Sequence, residues 1–151
     1  MSLFMETTKI SPETTVGAIQ KLLGQYKATY ILLEYNDGEI TGVSFKFKVG
    51  STELPFRLPC RWQAIYSILQ KQRKTRAPKH EKDDQDKAKR VAWRQILRWL
   101  EAQLALVDTE MVKPEEVFMP YMQVSPKQTL FERFEQGGWK FKQLSTGEAN
   151  D

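Results

Sequence analysis

Between Lys71 and Arg98 the chain carries eleven basic residues, Lys71, Arg73, Lys74, Arg76, Lys79, Lys82, Lys87, Lys89, Arg90, Arg94 and Arg98, against four acids, Glu81, Asp83, Asp84 and Asp86. The window is therefore +7 in a chain whose formal net charge is +4, so everything outside it sums to −3. Clustered Lys and Arg neutralise phosphates and release counterions, and the chemistry this segment suggests is binding of a nucleic-acid backbone. Lys87, Arg90, Arg94 and Arg98 are spaced by three and four residues, which predicts one ridge on a helix, opposite its apolar face. The acids at 81 to 86 argue against a tight phosphate track, because they can pair with the lysines beside them.

A second basic group is Lys46 and Lys48, with Arg57 and Arg61 nearby in sequence. An open sheet face of this kind could hold a single strand, but such platforms also present aromatic rings for base stacking. Here Phe45, Phe47 and Phe56 fall on the buried phase of their strands, and the spacing reads as ordinary lysines on a solvated face.

Catalytic residues are scarce. His80 falls in a polar loop, where nothing holds a general base rigidly. Arg57 and Arg61 flank Cys60 and could lower its pKa, but its position between a strand and a helix suits a small packed hydrophobe. With one Cys and one His, zinc sites and disulfide frameworks are excluded by count. Asp83, Asp84 and Asp86 lack the glycine and terminal glutamate of a calcium loop. There is no Gly-rich phosphate loop and no His-Glu-x-x-His pair. The reading is a protein without catalytic residues, metal or cofactor.

The C-terminal third is rich in Met and aromatic residues. Phe118, Tyr121 and Met122 are its candidate partner-binding residues, since Met-rich apolar surface adapts to a partner; core packing is the competing reading.

These side chains need elements to position them. At 151 residues with 40% hydrophobic and 28% charged residues, the chain fits one domain over 1–144 and a flexible tail over 145–151. Ser11-Pro12 followed by Val16, Ile19, Leu23 and Tyr26 predicts a helix over 12–26. Leu3 to Thr8 reads as a short edge strand. The period then changes to two: strands over 29–35, 40–49 and 52–58 are joined by turns at Asn36-Asp37-Gly38 and Gly50-Ser51. A helix over 61–74 follows, then an exposed charged loop over 75–86, and a long helix over about 84–108 that carries the basic ridge. Ser125-Pro126-Lys127-Gln128 matches a capping box and predicts a helix over 126–136. Trp139 to Leu144 reads as a returning strand. The expected fold is α+β: an antiparallel sheet of three to four strands in a two-layer arrangement with a long amphipathic helix, plus a helical C-terminal extension. There is no signal-peptide pattern and no run of membrane-span length, which predicts a cytoplasmic protein without a membrane partner.

The stretch Val91-Ala92-Trp93-Arg94-Gln95-Ile96-Leu97-Arg98-Trp99-Leu100-Glu101-Ala102-Gln103-Leu104-Ala105-Leu106 precedes Glu115-Glu116-Val117-Phe118-Met119-Pro120-Tyr121-Met122. With Met1 to Thr8 and Pro55-Phe56-Arg57-Leu58-Pro59, it resembles a group of small proteins encoded by bacteriophages and other mobile elements. That resemblance implies a setting, the cytoplasm of a bacterial host, and brings no catalytic motif or cofactor. The function expected is a non-enzymatic accessory protein binding nucleic acid through Lys71 to Arg98. The alternatives are an interaction protein that binds a host protein, a small nucleotide or a second copy of itself through the Met- and aromatic-rich surface, and, more weakly, a small enzyme.

Overall fold

The computed structural model describes residues 2–73 and 80–140. Helix α1 (Pro12–Gln25) starts where Ser11 caps the Thr14 amide and Pro12 fills the first turn. Strands β1 (Tyr30–Asn36), β2 (Glu39–Val49) and β3 (Thr52–Pro59) form an antiparallel meander in the order β1-β2-β3. Its first turn is tight because Asp37 and Gly38 both adopt positive φ, 51° and 79°, the pairing that a two-residue hairpin requires. Gly50 does the same for the second turn, with φ 63°.

Helices α2 (Trp62–Gln72) and α3 (Glu81–Asp108) follow. With 28 residues, α3 is about 42 Å long, and both α1 and α2 pack against it. The core is continuous from α1 through the sheet to α3: Val16, Ile19, Leu23, Val43, Phe45, Phe56, Trp93, Leu100 and Leu104 are all buried. The C-terminal part is α4 (Pro114–Phe118), a 3₁₀ turn at Met119–Tyr121, a hairpin of β4 (Gln123–Ser125) and β5 (Gln128–Thr129), and α5 (Leu130–Gln136). This is the expected α+β architecture, with three strands in the main sheet.

Four local expectations are corrected. Leu3 to Thr8 forms turns, held by Glu6–Leu3 and Thr8–Met5 backbone bonds, and not a strand. Helix α3 begins at Glu81, so residues 81–86 of the expected loop are helical; Glu81, Asp83 and Asp84 supply its acidic first turn. Ser125 to Gln128 is the β4-β5 turn, and the capping box belongs to Thr129 and Glu132: the Thr129 hydroxyl accepts from the Glu132 amide while the Glu132 carboxylate accepts from the Thr129 amide. The extension is therefore helical only in part. Trp139 has φ 62° in the turn that ends α5; the rest of the expected strand, and the tail, lie outside the described residues. Among the described residues no helix is long and apolar enough to cross a membrane.

Candidate nucleic-acid interface

The expected phosphate track is largely occupied by contacts inside the molecule. Arg73, just after α2, donates two hydrogen bonds to Asp84 at 2.5 and 2.7 Å. The guanidinium holds the Asp84 carboxyl below the usual carboxylate range. Lys82 pairs with Asp86, and Arg98 with Glu101 at 2.5 Å. Lys89 lies 4.7 Å above the Trp62 ring and 2.6 Å from Glu39, tying α3 to α2 and to the start of β2. Lys87 faces Glu6 at 3.9 Å. Lys71 is exposed in the last turn of α2, and Lys74, Arg76 and Lys79 lie outside the described residues.

The ridge itself departs from expectation at Arg94, which is only 8% exposed. A helix flanked by both α1 and α2 has more than one buried side, and a single apolar stripe does not describe it. The Nε atoms of Arg90 and Arg94 are buried and have no hydrogen-bond partner among the described residues. Arg94 therefore cannot serve as an open phosphate contact.

Of the three candidate partner-binding residues, Phe118 is corrected as well, while Tyr121 and Met122 are half-buried. Phe118 is fully buried, with its ring centroid 5.3 to 5.9 Å from those of Phe45, Phe47, Phe56 and Trp99. Tyr121 packs edge-on against Trp99, and Met122 forms a bridge with Phe56. These residues join the C-terminal part to the sheet, and the apolar surface lies instead at Met119, Phe131 and Trp139.

Cys60 is buried, and that burial pushes its thiol up to about 12. A thiol so protonated is no nucleophile near neutral pH. His80 is the residue before α3. No cluster of metal-ligating side chains occurs among the described residues, and Asp84 is committed to Arg73.

The sheet's outer face carries what the sequence reading lacked. In register, Tyr30 opposes Lys46, which opposes Pro55; Leu32 opposes Ser44, which opposes Arg57; Glu34 opposes Gly42. Ile31, Leu33, Phe45 and Phe56 occupy the other face, in the core. The Lys46 ammonium sits 4.9 Å from the Tyr30 ring centroid, a cation–π distance. Tyr30 and Leu32 are 45% and 47% exposed, and Lys48 is exposed beyond them. The aromatic ring comes from β1, not from β2 or β3 where a search for alternating Phe and Lys looks. Only the cross-strand register brings Tyr30 beside Lys46.

The other half of this face is closed by an ion pair. Arg57 Nε donates to both Glu34 oxygens at 3.0 and 2.9 Å, and the Ser44 hydroxyl donates to Glu34 Oε2 at 3.4 Å. Gly42 makes room for it: a Cβ there would stand 2.8 Å from Glu34 Oε2. The open part is thus the end bearing Tyr30, Leu32, Lys46 and Lys48. Comparison of this chain with protein-family models, with curated proteins and with solved structures gives no match.

Proposed function

We propose that this protein binds single-stranded nucleic acid, without catalysing a reaction, on the open end of its sheet. The observation that carries this reading is the Lys46 ammonium against the exposed Tyr30 ring. A base stacks on the free side of the Tyr30 ring and beside Leu32, while Lys46 and Lys48 neutralise flanking phosphates. Stacking on an aromatic side chain contributes about 1–3 kcal/mol per base and tolerates any sequence. The phosphate contacts make affinity fall as salt rises. The accessory role and bacterial setting implied by the resemblance to mobile-element proteins fit such a binder.

The test is fluorescence anisotropy of a labelled single-stranded oligonucleotide, titrated at low and moderate salt. Binding should weaken steeply with salt, and Tyr30→Ala should weaken it roughly fivefold or more. A protein that leaves the oligonucleotide free at the lowest salt sinks the proposal.

A second reading, a protein partner or a second copy on the C-terminal part, is favoured by one observation. Met119, Pro120, Leu130, Phe131, Phe134 and Trp139 surround a mostly apolar cavity of about 320 Å³. Exposed apolar surface of this kind marks interaction sites. Concentration-dependent size-exclusion elution that Phe131→Ser abolishes supports this reading; a monomer at every concentration counts against self-association.

A further inference from the structure

The N-terminal segment lies along α3: the Phe4 carbonyl accepts from the Gln95 side-chain amide, and Glu6 faces Lys87. Between that segment and the helix is a cavity of about 370 Å³, lined by Glu6, Thr7, Thr8, Lys9, Lys87 and Arg90. Three cations face one carboxylate there. Among the described residues Lys9 and Arg90 have no acidic partner, and the only ion pair on the wall is the long Lys87–Glu6 contact. The Arg90 Nε is buried and has no hydrogen-bond partner among the described residues. Arg94, one turn further along α3, is itself buried, and its Nε likewise has no hydrogen-bond partner among the described residues. A buried donor without an acceptor is costly, and an anion seated between Lys9, Lys87 and Arg90 supplies one to the Arg90 guanidinium.

Lys9 and Arg90 also line a second cavity of about 360 Å³ with Glu13, Glu39, Asp86 and Lys89, whose ammonium pairs with Glu39, against the apolar surface of Trp93. Carboxylates accept hydrogen bonds from hydroxyl groups and repel phosphate, so the two cavities suit the two ends of one molecule. We infer that the paired cavities form a site for a phosphate monoester of a small hydroxylated molecule, such as a sugar phosphate or a nucleoside 5′-monophosphate. The phosphate lies against Lys9, Lys87 and Arg90, and the hydroxyls face Glu13, Glu39 and Asp86. Arg90 supplies the planar donor set that matches phosphate oxygens, and the Thr7 and Thr8 hydroxyls are available as further donors. This site is separate from the sheet face and stands whether or not that face binds nucleic acid.

The test is isothermal titration of the full chain with inorganic phosphate, a nucleoside 5′-monophosphate, a hexose phosphate and the unphosphorylated nucleoside. One or both esters should bind more tightly than inorganic phosphate, and the nucleoside should not bind. Lys9→Gln, at an exposed position that leaves the fold intact, and Arg90→Gln should each weaken the ester about tenfold, the loss of one charge-assisted hydrogen bond. Glu6→Gln should strengthen it, because it removes the one carboxylate on the phosphate wall and releases Lys87; a role in folding alone gives no such gain. The inference is overturned if neither ester binds, if inorganic phosphate binds as tightly as the esters, if Lys9→Gln leaves affinity unchanged, or if Glu6→Gln weakens it. Lys9→Gln leaves oligonucleotide binding to the sheet face unaltered, so failure of one reading is distinguished from failure of the other.

Discussion

Arg73 and Asp84 stand eleven residues apart and are joined by two hydrogen bonds, from Nε to one carboxylate oxygen and from Nη2 to the other. The pair clamps the end of α2 to the first turn of α3. Asp84 is almost wholly buried in it, while Arg73 keeps about a third of its side chain in solvent. A charge run read from sequence as a phosphate track thus spends one of its members on the fold.

The sign of the pH dependence follows. The folded-state pKa of Asp84 is lowered, first by the Arg73 hydrogen bond, and the unfolded chain returns it to about 3.9. The unfolded state binds the proton more readily, so the stabilisation is present above about pH 4 and is lost as pH falls through the depressed value. Asp84→Asn should lower the melting temperature by several degrees at pH 7, and the gap to the parent should close on acidification below pH ~4. Thermal unfolding followed by circular dichroism across that range checks it; a gap that stays constant with pH shows that the ion pair is not its source.

Gly42 is required by its neighbour across the strand pair. Besides the Glu34 oxygen at 2.8 Å, a Cβ would meet the Leu58 carbonyl oxygen at 3.2 Å, and backbone moves less readily than a side chain. Gly42→Ala should cost about 1–3 kcal/mol in urea unfolding, as overpacking does. In Glu34→Gln the demand for space is nearly unchanged while the charge is gone. Adding Gly42→Ala to that background should cost a similar amount if sterics dominate, and a double-mutant cycle measures the remainder.

The meander was legible from sequence because its turns are local chemistry: Asp37-Gly38 and Gly50 adopt positive φ, which few residues tolerate. The start of α5 was not, since Ser125…Gln128 and Thr129…Glu132 share the same spacing and only the second is a cap. The basic ridge was misread for a tertiary reason. Periodicity shows that a helix has an apolar face, but not that neighbours lie on both sides of it, as α1 and α2 do on α3. Tyr30 was missed because its neighbour Lys46 is sixteen residues away, and register becomes visible only once the strands pair.

Thr15 sits in α1 with no exposed surface, and its hydroxyl is unpaired among the described residues. Burying a hydroxyl without a partner costs about 1–3 kcal/mol. Valine has nearly the same shape and no such group, so Thr15→Val should stabilise the protein by about 1 kcal/mol. The two β-branched residues have nearly equal intrinsic helix propensities, so the exchange costs nothing there. Urea unfolding decides; a loss of stability means that the hydroxyl is satisfied in solution.

Cys60 follows β3, with its amide donating to the Thr41 carbonyl and its thiol raised to about 12 by burial. Thiol-specific reagents attack the thiolate. In the native protein at pH 8, labelling of Cys60 should therefore be slower than in urea by a large factor, tracking the unfolding equilibrium. Rapid labelling of the folded state rules out a buried, protonated thiol. Cys60→Ala should leave ligand binding unchanged and cost about 1 kcal/mol of packing.

Phe118 and Phe131 separate core from surface in the C-terminal part. Phe118 contacts four rings from β2, β3 and α3 and is wholly buried. Phe131 stacks edge-on with Trp139 alone among the described rings and is exposed. Phe118→Ala opens a cavity at the junction of sheet and helix and should cost about 3–5 kcal/mol. Phe131→Ala should cost about 1 kcal/mol or less, most of it the lost ring pair. Urea unfolding of the two variants measures both, and size-exclusion chromatography of Phe131→Ala asks in the same preparation whether the exposed groove joins two copies. A Phe118→Ala protein as stable as the parent would mean that the C-terminal part does not pack on the sheet in solution. The apolar cavity around Phe131 would then lose the scaffold that holds it open.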